Sequence, residues 1–126
     1  IFKEGNTAVI TGASSGIGLA CSIHCATKGM NVWMLDVDEE DLPHALTRVQ
    51  ASASTGQIIE TIICDVSNAG AMKQAAKDIF DHPSTKNVHF LMNNAAVQLG
   101  GGYETSMDIF RNVLDVNTLG PIHGCQ

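Results

Sequence analysis

The stretch TGASSGIG, Thr11 to Gly18, carries three glycines and two serines in eight residues. It follows the short apolar run TAVIT, Thr7 to Thr11, and opens a helical pattern from Gly16 to Lys28. At such a junction the free N–H groups of the first helical turn, together with the positive end of the helix dipole, attract an anion. A pyrophosphate is the natural guest. The three glycines serve different ends. Gly12 permits a tight exit from the strand, Gly16 lets phosphate approach the backbone, and Gly18 lets the helix pack close to the sheet. Ser14 and Ser15 add hydroxyl donors. The spacing is G-x-x-x-G-x-G with no following GK[ST], which excludes the P-loop of nucleoside triphosphate hydrolases.

About twenty residues beyond the glycines, Asp36 ends a second apolar run, where a carboxylate can accept hydrogen bonds from an adenosine ribose. The same charge repels a 2′-phosphate, and Ala13, Ser14, Ser15 and Val37 include no cation to neutralise one. NAD is therefore expected rather than NADP. The acids Asp38, Glu39, Glu40 and Asp41 complement the start of a helix and need no further role.

These residues must be held by alternating strands and helices. A buried strand is expected at Thr7–Thr11, a second apolar strand at Asn31–Asp36, and further strands at Gln57–Cys64 and Val88–Asn93. Helices are expected at Gly16–Lys28, from Asp38 to Ser52, and from Asn68 to Phe80. Gly29 stops the first, Pro43 is tolerated only near the first turn of the second, and DHPSTKN forms the turn after the third. Ile17, Ala20, Cys21 and Cys25 are expected on one packed side of the first helix. A fourth helix begins at Ser106, with Ile109, Val113, Val116 and Leu119 or Gly120 on its inner side. It is still running at Pro121. This order implies an α/β fold, a doubly wound parallel sheet of the Rossmann type, cut after the fourth strand and its following helix. Residues 1–126 are expected to form one dinucleotide-binding domain, incomplete at its C-terminal end. Ending there leaves the edge of the fourth strand open.

Composition narrows the partners. Seven basic and thirteen acidic residues give a net charge of −6, without a Lys or Arg cluster, so neither nucleic acid nor a membrane surface is an expected partner. No apolar run reaches membrane-spanning length and no signal peptide pattern is present, which points to a cytoplasmic protein. Cys21, Cys25, Cys64 and Cys125 lie in apolar segments and read as reduced thiols. Cys21, His24 and Cys25 would share a helix face but lack a fourth ligand, and no metal site is expected.

Five motifs, TGASSGIG, Asp36, CDVS (Cys64 to Ser67), NNAA (Asn93 to Ala96) and DVNTLG (Asp115 to Gly120), in this order and at these intervals, resemble the short-chain dehydrogenase/reductase family. The resemblance runs from about Thr7 to the end of the chain. It implies a cofactor site of Gly12, Ser14, Ser15, Gly16, Ile17, Gly18 and Asp36. It further implies that Asp65 holds the adenine amino group with Val66 packed on the ring. Asn94, Ala95 and Ala96 would line the cofactor, and the main chain of Asn117 would position a water in a catalytic proton relay. Taken without the family pattern, Asp65 reads rather as a helix cap, Asn94 as a partner for buried backbone, and Asn117 as a polar kink ahead of Pro121; the resemblance turns the reading to the functional roles.

Two departures from the family pattern matter. Ala96 stands where the family usually has Gly, which narrows the room beside the cofactor. The family's general acid/base is a Tyr followed four residues later by a Lys, whose ammonium brings the phenol, with a pKa of about 10, into working range. The single tyrosine is Tyr103, and four residues on stands Met107. The resemblance therefore implies the cofactor-binding half of an NAD-dependent oxidoreductase acting on an alcohol or carbonyl substrate, inactive by itself and a homo-oligomer when full length. The alternative is a truncated dinucleotide-binding or interaction module without catalysis. The loop Val97 to Tyr103 is a candidate substrate wall.

Overall fold

The structure, a computed structural model, describes residues 1–98, 102 and 104–126. Four parallel strands, β1 (Thr7–Thr11), β2 (Asn31–Asp36), β3 (Ile59–Ile63) and β4 (Phe90–Met92), lie in the order β3-β2-β1-β4. Helices α1 (Gly16–Thr27), α2 (Asp41–Gln50) and α3 (Ala69–Asp81) connect them. After β4 come α4 (Met107–Leu114), a π-helical turn (Asp115–Leu119) and α5 (Gly120–Cys125).

The near-continuous apolar strands are explained by helices on both faces. Ala8, Ile10, Val32 and Met34 point to one side and pack with Leu19 and Cys25 of α1 and Leu42, Ala45 and Val49 of α2. Val9, Trp33 and Leu35 point to the other and meet Met72, Ala75 and Ile79 of α3. Ile10 and Met34 are wholly buried, and burial of each such side chain stabilises the fold by about 1.5–3 kcal/mol. β4 has β1 as its only strand partner among the described residues, so its other edge is open. No helix among the described residues is long and apolar enough to cross a membrane.

The first helix is turned relative to expectation. Its buried residues are Gly18, Leu19, Ser22, Cys25 and Ala26, whereas Ile17 is 72% exposed. Gly18 has to face the sheet, and that fixes the rotation and sends Ile17 outward. His24 also leaves the thiols, packing edge-on against the ring of Phe2 at 6.1 Å.

Other boundaries moved for local reasons. α2 begins at Asp41 rather than Asp38, because the Asp38 carboxylate accepts the N–H groups of Glu40 and Asp41 at 3.0 and 2.8 Å and so stands before the helix. β3 is shorter than Gln57–Cys64: the Gln57 side chain donates to Ala26 O and Met30 O, and Ile58, whose O accepts Val32 N–H at 2.8 Å, gives its own N–H to the Asn31 side chain rather than to β2 backbone. β4 is likewise shorter than Val88–Asn93. The expected fourth helix runs from Met107 to Cys125 and is still continuing at Pro121, but with a π-helical turn at Asp115–Leu119 inside it. Gly120 N–H reaches back five residues to Asp115 O, and Pro121 has no N–H with which to restore the α-helical ladder. Ile109 and Leu119 are exposed, and Gly120 rather than Leu119 continues the inner side.

Candidate functional site

A cleft of about 590 Å³ opens over the carboxyl ends of the four strands. In a parallel sheet this is where the chain leaves each strand with backbone groups unpaired, and β1 and β4, neighbours whose helices leave in different directions, bound it. The glycine-rich turn forms one side. Gly12 has φ +65, and a Cβ there would stand 2.8 Å from Ala95 Cα. Gly18 has a different reason to lack one, since its Cβ would lie 2.0 Å from Gly12 O. Gly16, at φ +52, has nothing within 4 Å of where a Cβ would be, so its backbone faces open cleft. Ser15 is the N-cap of α1, and its hydroxyl makes no capping bond. The turn is thus a bare backbone surface beside a helix N-terminus, which fits a pyrophosphate.

Asp36 reaches across to this turn. Its Oδ2 accepts Ser14 N–H at 2.8 Å and its Oδ1 accepts Asp38 N–H at 3.1 Å, so both oxygens are oriented by backbone and each keeps lone-pair capacity. Ile17 stands at the rim. Asp65 and Val66 line the opposite end. Asp65 does not cap α3: its Oδ1 accepts Ser67 N–H and Ser67 Oγ–H at 2.9 and 2.7 Å, while Asn68 caps the helix by accepting from Ala71 N–H at 3.0 Å.

Asn94 lines the cleft and also serves buried backbone, its Nδ2 donating to Thr11 O and Gly12 O at 3.0 and 3.2 Å. Ala95 and Ala96 complete that wall. Thr11, not singled out from sequence, organises it: its Oγ1 accepts the N–H groups of Asn94 and Ala95 at 3.0 and 3.1 Å. Its signal in the sequence was only a polar residue closing an apolar strand. Asn117 is not among the lining residues. Its side chain instead clasps the backbone of Val97, accepting Val97 N–H and donating to Val97 O, both at 2.8 Å. Asn117 therefore fixes a residue that does line the cleft.

Val37, Asp38, Cys64, Gln98 and Val116 also line it. Among the described lining residues there are three carboxylates, those of Asp36, Asp38 and Asp65, and no Lys or Arg. Burial first, and the neighbouring Asp65 second, push the Cys64 thiol up, so it remains protonated near neutral pH. The expected wall from Val97 to Tyr103 includes Leu99, Gly100, Gly101 and Tyr103, which lie outside the described residues.

The sequence matches the family described as short chain dehydrogenase over residues 6–126. An uncharacterised oxidoreductase of Bacillus subtilis, YxbG, is 34% identical over 119 residues, covering 93% of this chain and 42% of the relative. Among solved structures, a short chain dehydrogenase/reductase from Burkholderia phymatum in complex with NAD has a TM-score of 0.88 and 34% identity, covering 98% of this chain and 43% of that one. An NAD+-bound xylitol dehydrogenase has a TM-score of 0.85 and 28% identity, covering 97% and 46%. The chain spans less than half the length of these proteins.

Proposed function

This chain belongs to the short-chain dehydrogenase/reductase family of oxidoreductases, and on that premise we propose that its cleft binds NAD for hydride exchange with an alcohol or carbonyl substrate. The observation that carries the NAD reading is the cleft's charge, with Asp36 aimed at the glycine-rich turn and no cation among the described lining residues. A 2′-phosphate would meet carboxylates without compensation. The two NAD-bound structural neighbours support the same reading.

The pyrophosphate would lie on the backbone of Ser14 to Gly18, and the Asp36 carboxylate would accept the adenosine ribose hydroxyls. Val66 and Asp65 would take the adenine, and Asn94, Ala95 and Ala96 would face the remainder. Bound there, the nicotinamide supplies or accepts the hydride. Asn117 holds Val97 with its side chain, and its own carbonyl stands four residues before Pro121, which returns no N–H to it. That carbonyl is the group we assign to holding a water for proton transfer.

In the family's pattern proton transfer is carried by a tyrosine with a lysine four residues later, and here Tyr103 is followed at that distance by Met107. We assign this chain the cofactor-binding part of the reaction and expect no turnover from the 126 residues alone. Titration of NADH against the purified chain tests the reading: saturable fluorescence enhancement, reversed by ADP-ribose, is expected. Absence of saturable binding overturns it, and turnover of any alcohol or carbonyl with NAD by the chain alone overturns the division of labour.

A further inference from the structure

The segment from the π-helical turn into α5 grips Val66 twice. His123 Nδ1 lies 2.9 Å from Val66 O. One turn earlier, a Cβ on Gly120 would come within 2.8 Å of Val66 Cγ2, so the missing side chain is what lets Val66 seat against the helix. Val66 is buried to 6% exposure, packs in one apolar cluster with Val116, and both line the cleft. A carbonyl oxygen only accepts, so His123 must carry its proton on Nδ1 to make this bond. The same segment holds Val97 through Asn117. Gly124 seats it against β4's exit, where a Cβ would lie 2.2 Å from Asn93 Oδ1.

We propose that His123 and Gly120 are positioning residues for nucleotide binding, fixing the backbone and side chain of Val66 so that the adenine end of the cleft is formed before the ligand arrives. The inference rests on the dinucleotide reading above and adds to it the residues that set the adenine wall. Without the His123 bond, Val66 O loses its side-chain partner and the 65–67 turn is held by its internal Asp65–Ser67 contacts, by Asn68 N–H donating to Asp65 O at 3.0 Å and by the apolar seat of Val66, so part of the binding energy goes into fixing Val66.

ADP-ribose titrations of the purified chain and its variants test this. His123→Phe, which keeps a ring but loses the donor, should weaken ADP-ribose binding about tenfold, the factor set by one lost hydrogen bond. His123→Asn, whose Nδ2 can stand where Nδ1 stood, should restore most of it. Gly120→Ala should weaken it as well by displacing Val66. Emission of the buried Trp33, whose Nε1 donates to Thr85 Oγ1 at 3.2 Å, reports whether each variant keeps its fold. If His123→Phe does not fold, nitrogen-15 spectra of the unsubstituted chain still decide. They should show Nδ1 protonated and a His123 ring shift on adding ADP-ribose. Unchanged affinity in His123→Phe, no rescue by Asn, or a ring protonated only on Nε2 and indifferent to ligand each overturns the proposal. A parent chain that binds no ADP-ribose overturns the NAD reading itself.

Discussion

Replacing Asp36 with Ala separates the charge of the cleft from its shape. The carboxylate orders the glycine-rich turn through Ser14 N–H at 2.8 Å and Asp38 N–H at 3.1 Å, and losing both bonds weakens NADH and NADPH alike. Only the charge acts on one of them. A 2′-phosphate carries about 1.5 to 2 negative charges and would sit ~5 Å from the carboxylate in an open cleft with an effective dielectric constant of about 40. Coulomb's law then gives about 3 kcal/mol of repulsion, reduced to about 2 kcal/mol by salt screening. Asp36→Ala should therefore raise NADPH affinity relative to NADH roughly 30-fold. Asp38 and Asp65 remain, so the variant should still not prefer NADPH outright. The assay is a pair of fluorescence titrations on parent and variant at about 0.15 M salt, repeated at higher salt, where the difference should shrink. Equal NADH:NADPH affinity ratios in parent and variant would refute the ribose role of Asp36.

The glycines should separate by mechanism. Gly18→Ala drives a Cβ into Gly12 O and should cost about 3 kcal/mol or more of stability by urea denaturation, on the order of a severe overpacking. Gly16→Ala meets no atom but strains a φ of +52, costing about 1 kcal/mol while weakening NADH binding more than roughly tenfold because its methyl enters the cleft. Asn117→Ala removes both bonds to Val97, so Val97 amide hydrogen exchange should accelerate at least roughly tenfold and NADH affinity fall severalfold, with Asn117→Asp between parent and Ala. Cys25 is pushed up from 9.0 to about 12, chiefly by burial and then by the neighbouring Cys21. Between those values the unfolded chain ionises this thiol and the folded chain does not, so stability present below pH 9.0 is lost as pH rises toward 12. The urea midpoint should drop between about pH 8 and about pH 10.5, less steeply in Cys25→Ala.

Much of the site was legible because its signals are local. The strand, bare glycine turn and helix at Thr7 to Lys28, and the carboxylate closing the second strand, are consequences of residue type at short spacing. The candidate cofactor-binding residues, Gly18 apart, line one cleft. Gly18 instead stands behind it, against Gly12 O. What was not legible depends on contacts far apart in the chain. The rotation of α1 is decided by Gly18 meeting Gly12 and Asn94, which the apolar pattern of Ile17, Ala20, Cys21 and Cys25 does not reveal. Thr11 acts on residues more than 80 positions away. The π-helical turn was hidden because Ile109, Val113 and Val116 fit an ordinary helical period, and only the backbone bond from Gly120 to Asp115 marks it. His123 and Gly120 carried no sequence signal toward Val66, 57 residues from His123.

The central claim is that NAD lies along the glycine-rich turn with its adenine end against Asp65 and Val66. Amide chemical-shift mapping of the nitrogen-15-labelled chain during titration with NAD tests it most directly. The largest shifts should fall on Ser14 to Gly18, Asp36 to Asp38, Asp65 to Ser67 and Asn94 to Val97. Shifts concentrated instead in the apolar cleft lined by Val9, Met72, Ile79 and Leu91, with the glycine-rich turn unmoved, would contradict it.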